Sequence, residues 1–260
     1  MAMRRFAPAA FFALCASVTM RLAAGFGYLS FPPASYRDLK HSQIYSADFN
    51  TSIHPMLFGL RQRDSGEKRR PDARAALFVN QLMFADYLSL RELADAVLPG
   101  CGNSMVGIDV EPVNVYNARH LLWRNEDEKV GFYPKTSGPC ETWLDNERVH
   151  FHGNCVRAYS TYPAKIPIDF SRCRLGQVCE LRFYWIAVTT TPLKLMSMSS
   201  PFEGDVHLDI HCVRVVNSPY LPAAKENTNP YQKLTQAIND TSFSVDLTIT
   251  LERIWLEGDE

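Results

Sequence analysis

Seven cysteines constrain the fold of this chain more than any other feature of its sequence. Six of them lie between residues 101 and 212, and an even set of six fits a disulfide framework. Among the connectivities that six cysteines permit, the spacing favours Cys173–Cys179, Cys140–Cys155 and Cys101–Cys212. The first pair closes a tight loop, the second spans the base of a predicted hairpin, and the third remains by elimination. A structural zinc site is the alternative, but the chain contains no CxxC pair.

Residues 1–25 have the layout of a secretory signal peptide. A basic start is followed by a short apolar stretch and by small residues at a cleavage site. We therefore expect this segment, which carries the seventh cysteine, Cys15, to be removed and the mature protein to be secreted and extracellular. Asn50 and Asn239 begin glycosylation sequons, which are compatible with that compartment.

The charge balance excludes one large class of function. The chain has 27 Lys and Arg residues against 28 Asp and Glu residues, so it lacks the basic excess of a general nucleic-acid-binding protein. No apolar run reaches the roughly 18 to 20 residues that a membrane span needs. We expect a monomer with neither a nucleic-acid nor a membrane partner.

The second half of the chain has the alternation and the β-branched and aromatic content of strands. The predicted strands are Glu141–Asp145 and Arg148–His152, which form a hairpin, Cys179–Val188, Val206–Val216 and Phe243–Leu251. Helical periodicity covers Ala75–Leu98, a second short helix is predicted over Ala118–Trp123, and residues 27–74 are loop-like. The chain is therefore predicted to be mostly β. It should form a disulfide-bonded, immunoglobulin- or fibronectin-like β-sandwich with one or two short helices inserted in the N-terminal half.

Five segments, taken in order, resemble a known family. They are Phe26–Leu29, Pro99–Asn103, Gly138–Asp145, Pro167–Cys173 and Cys179–Ala187. Together they resemble the small secreted lytic polysaccharide monooxygenases of the oomycete type, copper enzymes linked to attack on pectin and plant cell walls. The resemblance covers roughly residues 26–200. Residues 201–260 have no counterpart in the family and are predicted to be a strand-rich extension of unknown role.

The resemblance implies a copper site whose ligands this chain lacks. In the family, one histidine stands directly before the Gly27 position, a second stands two residues before the Gly138 position, and an axial tyrosine follows the last segment. This chain has Phe26, Thr136 and Met196 there, and none of these side chains ligates Cu(II) usefully. We therefore predict no catalytic residue, no metal and no cofactor.

The same resemblance affects one disulfide. The family has a glutamine where this chain has Lys194 and a cysteine where it has Ser199. The resemblance implies that this missing cysteine is the partner of the Cys101 position. Either Cys212 takes its place, or Cys101 and Cys212 are both free thiols.

The predicted function is non-catalytic binding of a polysaccharide or a cell-wall component by a degenerate scaffold. Sugar rings stack on exposed aromatic side chains, and the candidates in loop-like contexts are Tyr28, Tyr159 and Tyr162. A second hypothesis is an active copper monooxygenase of plant cell-wall polysaccharide with relocated ligands. His150 and His152 are the candidates for it because they share one face of a strand. A protein-binding effector on the same scaffold is a third hypothesis, and a decayed gene is a fourth.

Six further residues in predicted strands have structural interpretations. Trp143 and Trp185 are predicted to be core residues, and Glu141 and Asp145 are predicted to be solvated acids. His207 and His211 are predicted to be exposed or hydrogen-bonded histidines.

Overall fold

The computed structural model describes residues 27–36, 46–48, 71–126, 128–189 and 206–227. The strands in this part of the chain are β1 Tyr28–Phe31, β2 Ser35–Tyr36, β3 Ala47–Asp48, β4 Ser104–Met105, β5 Val113–Asn114, β6 His120–Arg124, β7 Thr136–Ser137, β8 Cys140–Leu144, β9 Glu147–His152, β10 Ala164–Pro167, β11 Val178–Thr189 and β12 Val206–Val216. The helices are α1 Pro71–Phe84, α2 Leu90–Val97 and α3 Cys155–Ala158.

Several predictions lie outside the described residues. They concern the signal peptide, the glycosylation sites Asn50 and Asn239, the positions Phe26, Lys194, Met196 and Ser199, and the strand Phe243–Leu251.

The chain is mostly β, as predicted, and its core lies between two sheets. The smaller sheet has the order β1-β6-β10, and the larger has the order β3-β12-β11-β8-β9, with β5 beside β12 and β7 beside β11. Leu121 and Trp123 of β6 belong to the same buried cluster as Leu181, Phe183 and Trp185 of β11. Alternate residues of each strand therefore point into one shared core, which is the arrangement of a β-sandwich.

Two helices cover the outer face of the larger sheet. Phe78 of α1 and Leu93 of α2 pack with Tyr184 and Ile186 of β11 in a second buried cluster. The predicted helix over residues 75–98 is therefore two helices. The first ends at residue 84, and the second begins after Ser89, whose side chain accepts a hydrogen bond from a first-turn backbone N–H.

The predicted helix over residues 118–123 is wrong, because this segment contains strand β6. Leu121 and Trp123 are fully buried while the residues between and beside them are not, so the true period is two. β6 is the central strand of its sheet, with β1 on one side and β10 on the other. Pairing on both edges outweighs the local helical pattern. The segment predicted as loop also holds β1, β2 and β3.

Residues 206–216 of the predicted extension are part of the larger sheet. β12 pairs with β11 over its whole length, from Val178 opposite Val216 to Val188 opposite Val206. The division at residue 200 therefore falls between the two longest strands of one sheet.

The three disulfides are those that the spacing favoured. Cys101–Cys212 joins β12 to the segment after α2, Cys140–Cys155 ties β8 to α3, and Cys173–Cys179 closes a short loop before β11. Among the described residues, no helix is long and apolar enough to cross a membrane.

Candidate functional site

One half-exposed tyrosine lies on a charged network at the end of the smaller sheet. Tyr162, just before β10, is 39% exposed, and its hydroxyl donates to Glu126 Oε2 at 2.7 Å. The Arg124 guanidinium, from the end of β6, lies over the Tyr162 ring at 4.9 Å from the ring centroid. Arg124 Nη1 also donates to Glu126 Oε1. We call Tyr162, Arg124 and Glu126 the Tyr162 platform.

The charges of the platform are fixed near neutral pH. Burial alone would raise the pKa of Glu126, but hydrogen bonds from Lys129, Arg124 and Tyr162 outweigh it and lower that pKa to about 2. Burial, followed by the hydrogen bond to Glu126, raises the pKa of the Tyr162 hydroxyl. Glu126 is therefore ionised and Tyr162 is neutral. Lys129 Nζ donates to Glu126 Oε2 at 2.6 Å, and its side chain is 68% exposed.

The predicted exposure of Tyr28 is wrong. Only 1% of this residue is exposed, although it lies next to the Tyr162 platform and its hydroxyl donates to Glu126 Oε1 at 3.5 Å. The same hydroxyl lies 3.3 Å from the carbonyl oxygen of Asn227, to which it can also donate. The chain near residue 227 therefore reaches the Tyr28 hydroxyl on the outer side of the smaller sheet.

The third candidate tyrosine lies with the two candidate histidines in a separate cluster. Tyr159 follows α3, and its ring centroid is 5.6 Å from that of His150 and 5.8 Å from that of His152. The Tyr159 hydroxyl oxygen lies 2.7 Å from His150 Nε2. Burial, and then the neighbouring His152, lowers the pKa of His150 to about 4, so this ring is neutral at physiological pH. Both histidines share one face of β9, as the strand period requires.

Neither Thr136, the one copper-ligand position of the family that the structure describes, nor the pair His150 and His152 fits a copper ion. Thr136 is buried, and its hydroxyl donates to the Tyr133 carbonyl at 2.6 Å, so it offers no group to a metal. His152 Nδ1 accepts a hydrogen bond from the Asn154 N–H at 3.0 Å, and His150 Nε2 is already bonded to the Tyr159 hydroxyl. His150 and His152 are therefore not prepared to bind one metal together.

One further group of potential metal ligands converges within the described chain. It comprises Cys101, Glu180 and Cys212. Cys101 and Cys212 are joined by a disulfide, so neither offers a thiolate to a metal.

The interpretation of Glu141 as a solvated acid is wrong. Its carboxylate is fully buried and accepts hydrogen bonds from Leu90 N at 3.3 Å, from Arg91 N at 3.1 Å and from Trp143 Nε1. These backbone groups lie at the N-terminus of α2, where unpaired N–H groups favour an anion. Glu141 therefore fixes α2 onto the larger sheet and has a structural role. Asp145 is exposed in the hairpin turn and accepts from the Glu180 N–H at 2.8 Å.

Trp185 is fully buried, whereas Trp143 is only partly buried under Arg91, whose guanidinium lies 5.1 Å from its ring centroid. The predicted core role is therefore confirmed for Trp185 and holds only in part for Trp143.

A row of polar side chains lies inside the sandwich on β12. His207, Asp209 and His211 alternate with residues that face the helices, and all three are buried. The His211 ring packs edge-on against Trp123 at 5.0 Å between ring centroids, and its Nδ1 lies 2.7 Å from the Tyr36 hydroxyl oxygen. The shared face of the two histidines was predictable, but their burial was not. Asp209 was not singled out by the sequence.

Sequence reasoning also missed the charged partners of Tyr162. Arg124 and Glu126 are separated from Tyr162 by 38 and 36 residues, and no local pattern links them. Only the pairing of β6 with β10 places them together.

No protein-family model matches this chain, and no curated protein matches it at a significant level. The resemblance to the monooxygenase family therefore stays a prediction from the five sequence segments.

Proposed function

We propose that this protein is a secreted, non-catalytic polysaccharide-binding protein on a degenerate monooxygenase scaffold, and that it binds sugar on the Tyr162 platform. The observation that carries the proposal is the fixed, half-exposed ring of Tyr162. Arg124 lies over one face of this ring, and 39% of the residue is exposed, so a sugar ring would approach from the side away from Arg124. A free aromatic face is what a sugar ring stacks on.

The platform is held in place before any ligand arrives. The Tyr162 hydroxyl donates a hydrogen bond to Glu126. Arg124 Nη1 donates both to the Glu126 carboxylate and, at 3.1 Å, to the Tyr162 hydroxyl oxygen. A side chain that is already fixed loses little rotamer entropy on binding. Lys129 bonds the same Glu126 oxygen as the Tyr162 hydroxyl, and its exposed ammonium group can also donate to sugar hydroxyls.

Two further observations support the other parts of the proposal. Three disulfides fit an oxidising compartment, which supports secretion. The buried, hydrogen-bonded Thr136 supports a scaffold without the family's copper chemistry. Stoichiometric, sub-micromolar binding of Cu(II) by the mature protein in a calorimetric titration would contradict the non-catalytic part of the proposal.

Co-sedimentation of the mature protein with cellulose, chitin and pectin tests the binding function. We expect retention on at least one of them and a loss of about tenfold in affinity for Tyr162→Ala, which corresponds to about 1.4 kcal/mol. Tyr116→Ala is the matched control, because Tyr116 is 38% exposed and lies outside the platform. Retention on none of the three polysaccharides contradicts the proposal and favours a protein-binding effector.

A further inference from the structure

Residues 217–227, which follow β12, run from the end of the larger sheet to the outer face of the smaller sheet. We call this segment the strap. Asn114 holds its start: Asn114 Nδ2 donates to the carbonyls of Ser218 at 2.9 Å, Leu221 at 2.8 Å and Pro222 at 3.2 Å. Asn114 Oδ1 accepts from the Ser218 N–H at 3.1 Å. Asn217 Nδ2 also donates to the Cys173 carbonyl at 3.0 Å, and the Ala224 N–H donates to the Asn114 carbonyl at 3.3 Å. The strap is therefore anchored as far as residue 224, chiefly by Asn114.

The other end of the strap lies beside the Tyr162 platform. The Asn227 N–H donates to the Ser30 carbonyl at 2.9 Å. Glu226 Oε1 accepts from Ser30 Oγ at 3.0 Å and from Arg124 Nε at 2.5 Å. Arg124 thus divides its donors between two carboxylates, one from the platform and one from the strap.

The contacts that close the strap are polar. Among the described residues, no member of the strap belongs to either buried apolar cluster. Segments with few buried apolar contacts open locally at a lower free energy than packed strands do. Since Asn114 fixes the start, the Glu226 end is the part that can lift while the sandwich stays intact.

We propose that the strap is an autoinhibitory cover, in which Glu226 occupies a saccharide-binding site formed by Arg124 Nε, Ser30 Oγ and Tyr28. This inference rests on the proposed function. The hydroxyls of Tyr28 and Tyr162 both donate to Glu126, so the two tyrosines are neighbours. Lifting the strap therefore exposes the Tyr28 ring next to the Tyr162 ring. The same movement releases the donors of Arg124 and Ser30 for hydroxyl oxygens of a bound sugar chain. A ligand that uses this site competes with Glu226.

Glu226→Ala tests the cover directly. Arg124 keeps its bond to Glu126 in this variant, so its charge stays paired. A strap that is open about one tenth of the time weakens the apparent affinity about tenfold, and the variant removes this penalty. We therefore expect Glu226→Ala to bind soluble pectin or cello-oligosaccharides about tenfold more tightly than the wild type. Lys225→Ala, an exposed change in the same strap, should leave the affinity unchanged.

Hydrogen exchange gives a readout that a purely structural strap would not produce. The amide of Asn227 is protected by its bond to Ser30, so saturating the wild type with the same oligosaccharides should speed its exchange. Equal or weaker binding by Glu226→Ala, or unchanged or slower exchange at Asn227, overturns the inference and leaves the proposed function intact. Absence of binding by every variant overturns both. Binding by both proteins, tighter for Glu226→Ala, supports both.

Discussion

Asp209 makes the stability of this protein depend on pH in a way that one substitution can reveal. It lies inside the sandwich on β12, it is 3% exposed, and its Oδ2 has no hydrogen-bond partner among the described residues. Burial raises the pKa of Asp209 well above its ordinary value of 3.8. The native carboxyl group therefore keeps its proton at pH values where the unfolded chain has lost it.

The sign of the effect follows from proton linkage. Above about pH 4 the unfolded state binds one proton fewer than the native state at this site, so stability falls as the pH rises. The slope is about 1.4 kcal/mol per pH unit for as long as native Asp209 stays protonated. Asp209→Asn does not titrate, so its stability relative to the wild type should increase as the pH rises above 4, with that slope as the upper limit.

Urea unfolding at pH 5, 6 and 7, followed by the fluorescence of the buried Trp123 and Trp185, measures this difference. His211 lies on the same face of the strand, but its contribution is common to wild type and variant and cancels in the comparison. Asp109→Asn, which removes an exposed acid, is the control and should show no such trend. Parallel stability profiles for wild type and Asp209→Asn would refute the reasoning.

Three other changes should affect stability. Burial lowers the pKa of His211 to about 3, so the unfolded chain binds a proton at this site between pH 6.5 and 3 while the native protein does not. Stability should therefore fall by about 4 to 5 kcal/mol as the pH drops from 6.5 to 3. His211→Gln should reduce this loss of stability in urea unfolding. Glu141→Gln should cost about 3 kcal/mol in thermal or urea unfolding, because it removes the buried charge that α2 N–H groups bond, and an unchanged midpoint would contradict that role. Replacing both Cys101 and Cys212 by serine removes a disulfide with a sequence separation of 111, and the entropic model predicts a loss of about 5 kcal/mol in the free energy of unfolding. A loss below about 1 kcal/mol would contradict the presence of this disulfide.

The sequence predicted those elements whose signal is local. The alternation of β12, the aromatic run of β11 and the turn between β8 and β9 are properties of a few adjacent residues, and the structure has these strands. The cysteine pairing was also predictable, because two of the three pairs are close in sequence and the third follows from them.

The errors arose where distant partners decide the structure. Leu121 and Trp123 lie in a strand because β1 and β10 pair with β6 on both edges, and neither partner is near in sequence. Glu141 is buried because the N-terminus of α2, some 50 residues earlier, supplies its hydrogen bonds. A carboxylate in a strand gives no local sign of such donors.

The candidate site shows the same division. Tyr162 could be selected because a tyrosine in a loop-like context is a general sugar-stacking candidate. Its fixed orientation could not be predicted, since Arg124 and Glu126 come from another strand. The Tyr28 hydroxyl contacts the Asn227 carbonyl, which belongs to a part of the chain that the sequence resemblance did not cover.

The binding role of the Tyr162 ring is the central claim, and the dissociation constants of three proteins test it most directly. The wild type, Tyr162→Phe and Tyr162→Ala are each titrated in a calorimeter with the polysaccharide that retains the wild type, and their dissociation constants are compared. Stacking on the ring predicts that Phe keeps the affinity within about twofold, since it keeps the ring and loses only the hydroxyl's bonds to Glu126 and Arg124, whereas Ala weakens the affinity about tenfold or more. Equal affinities for Tyr162→Ala and wild type would contradict the account.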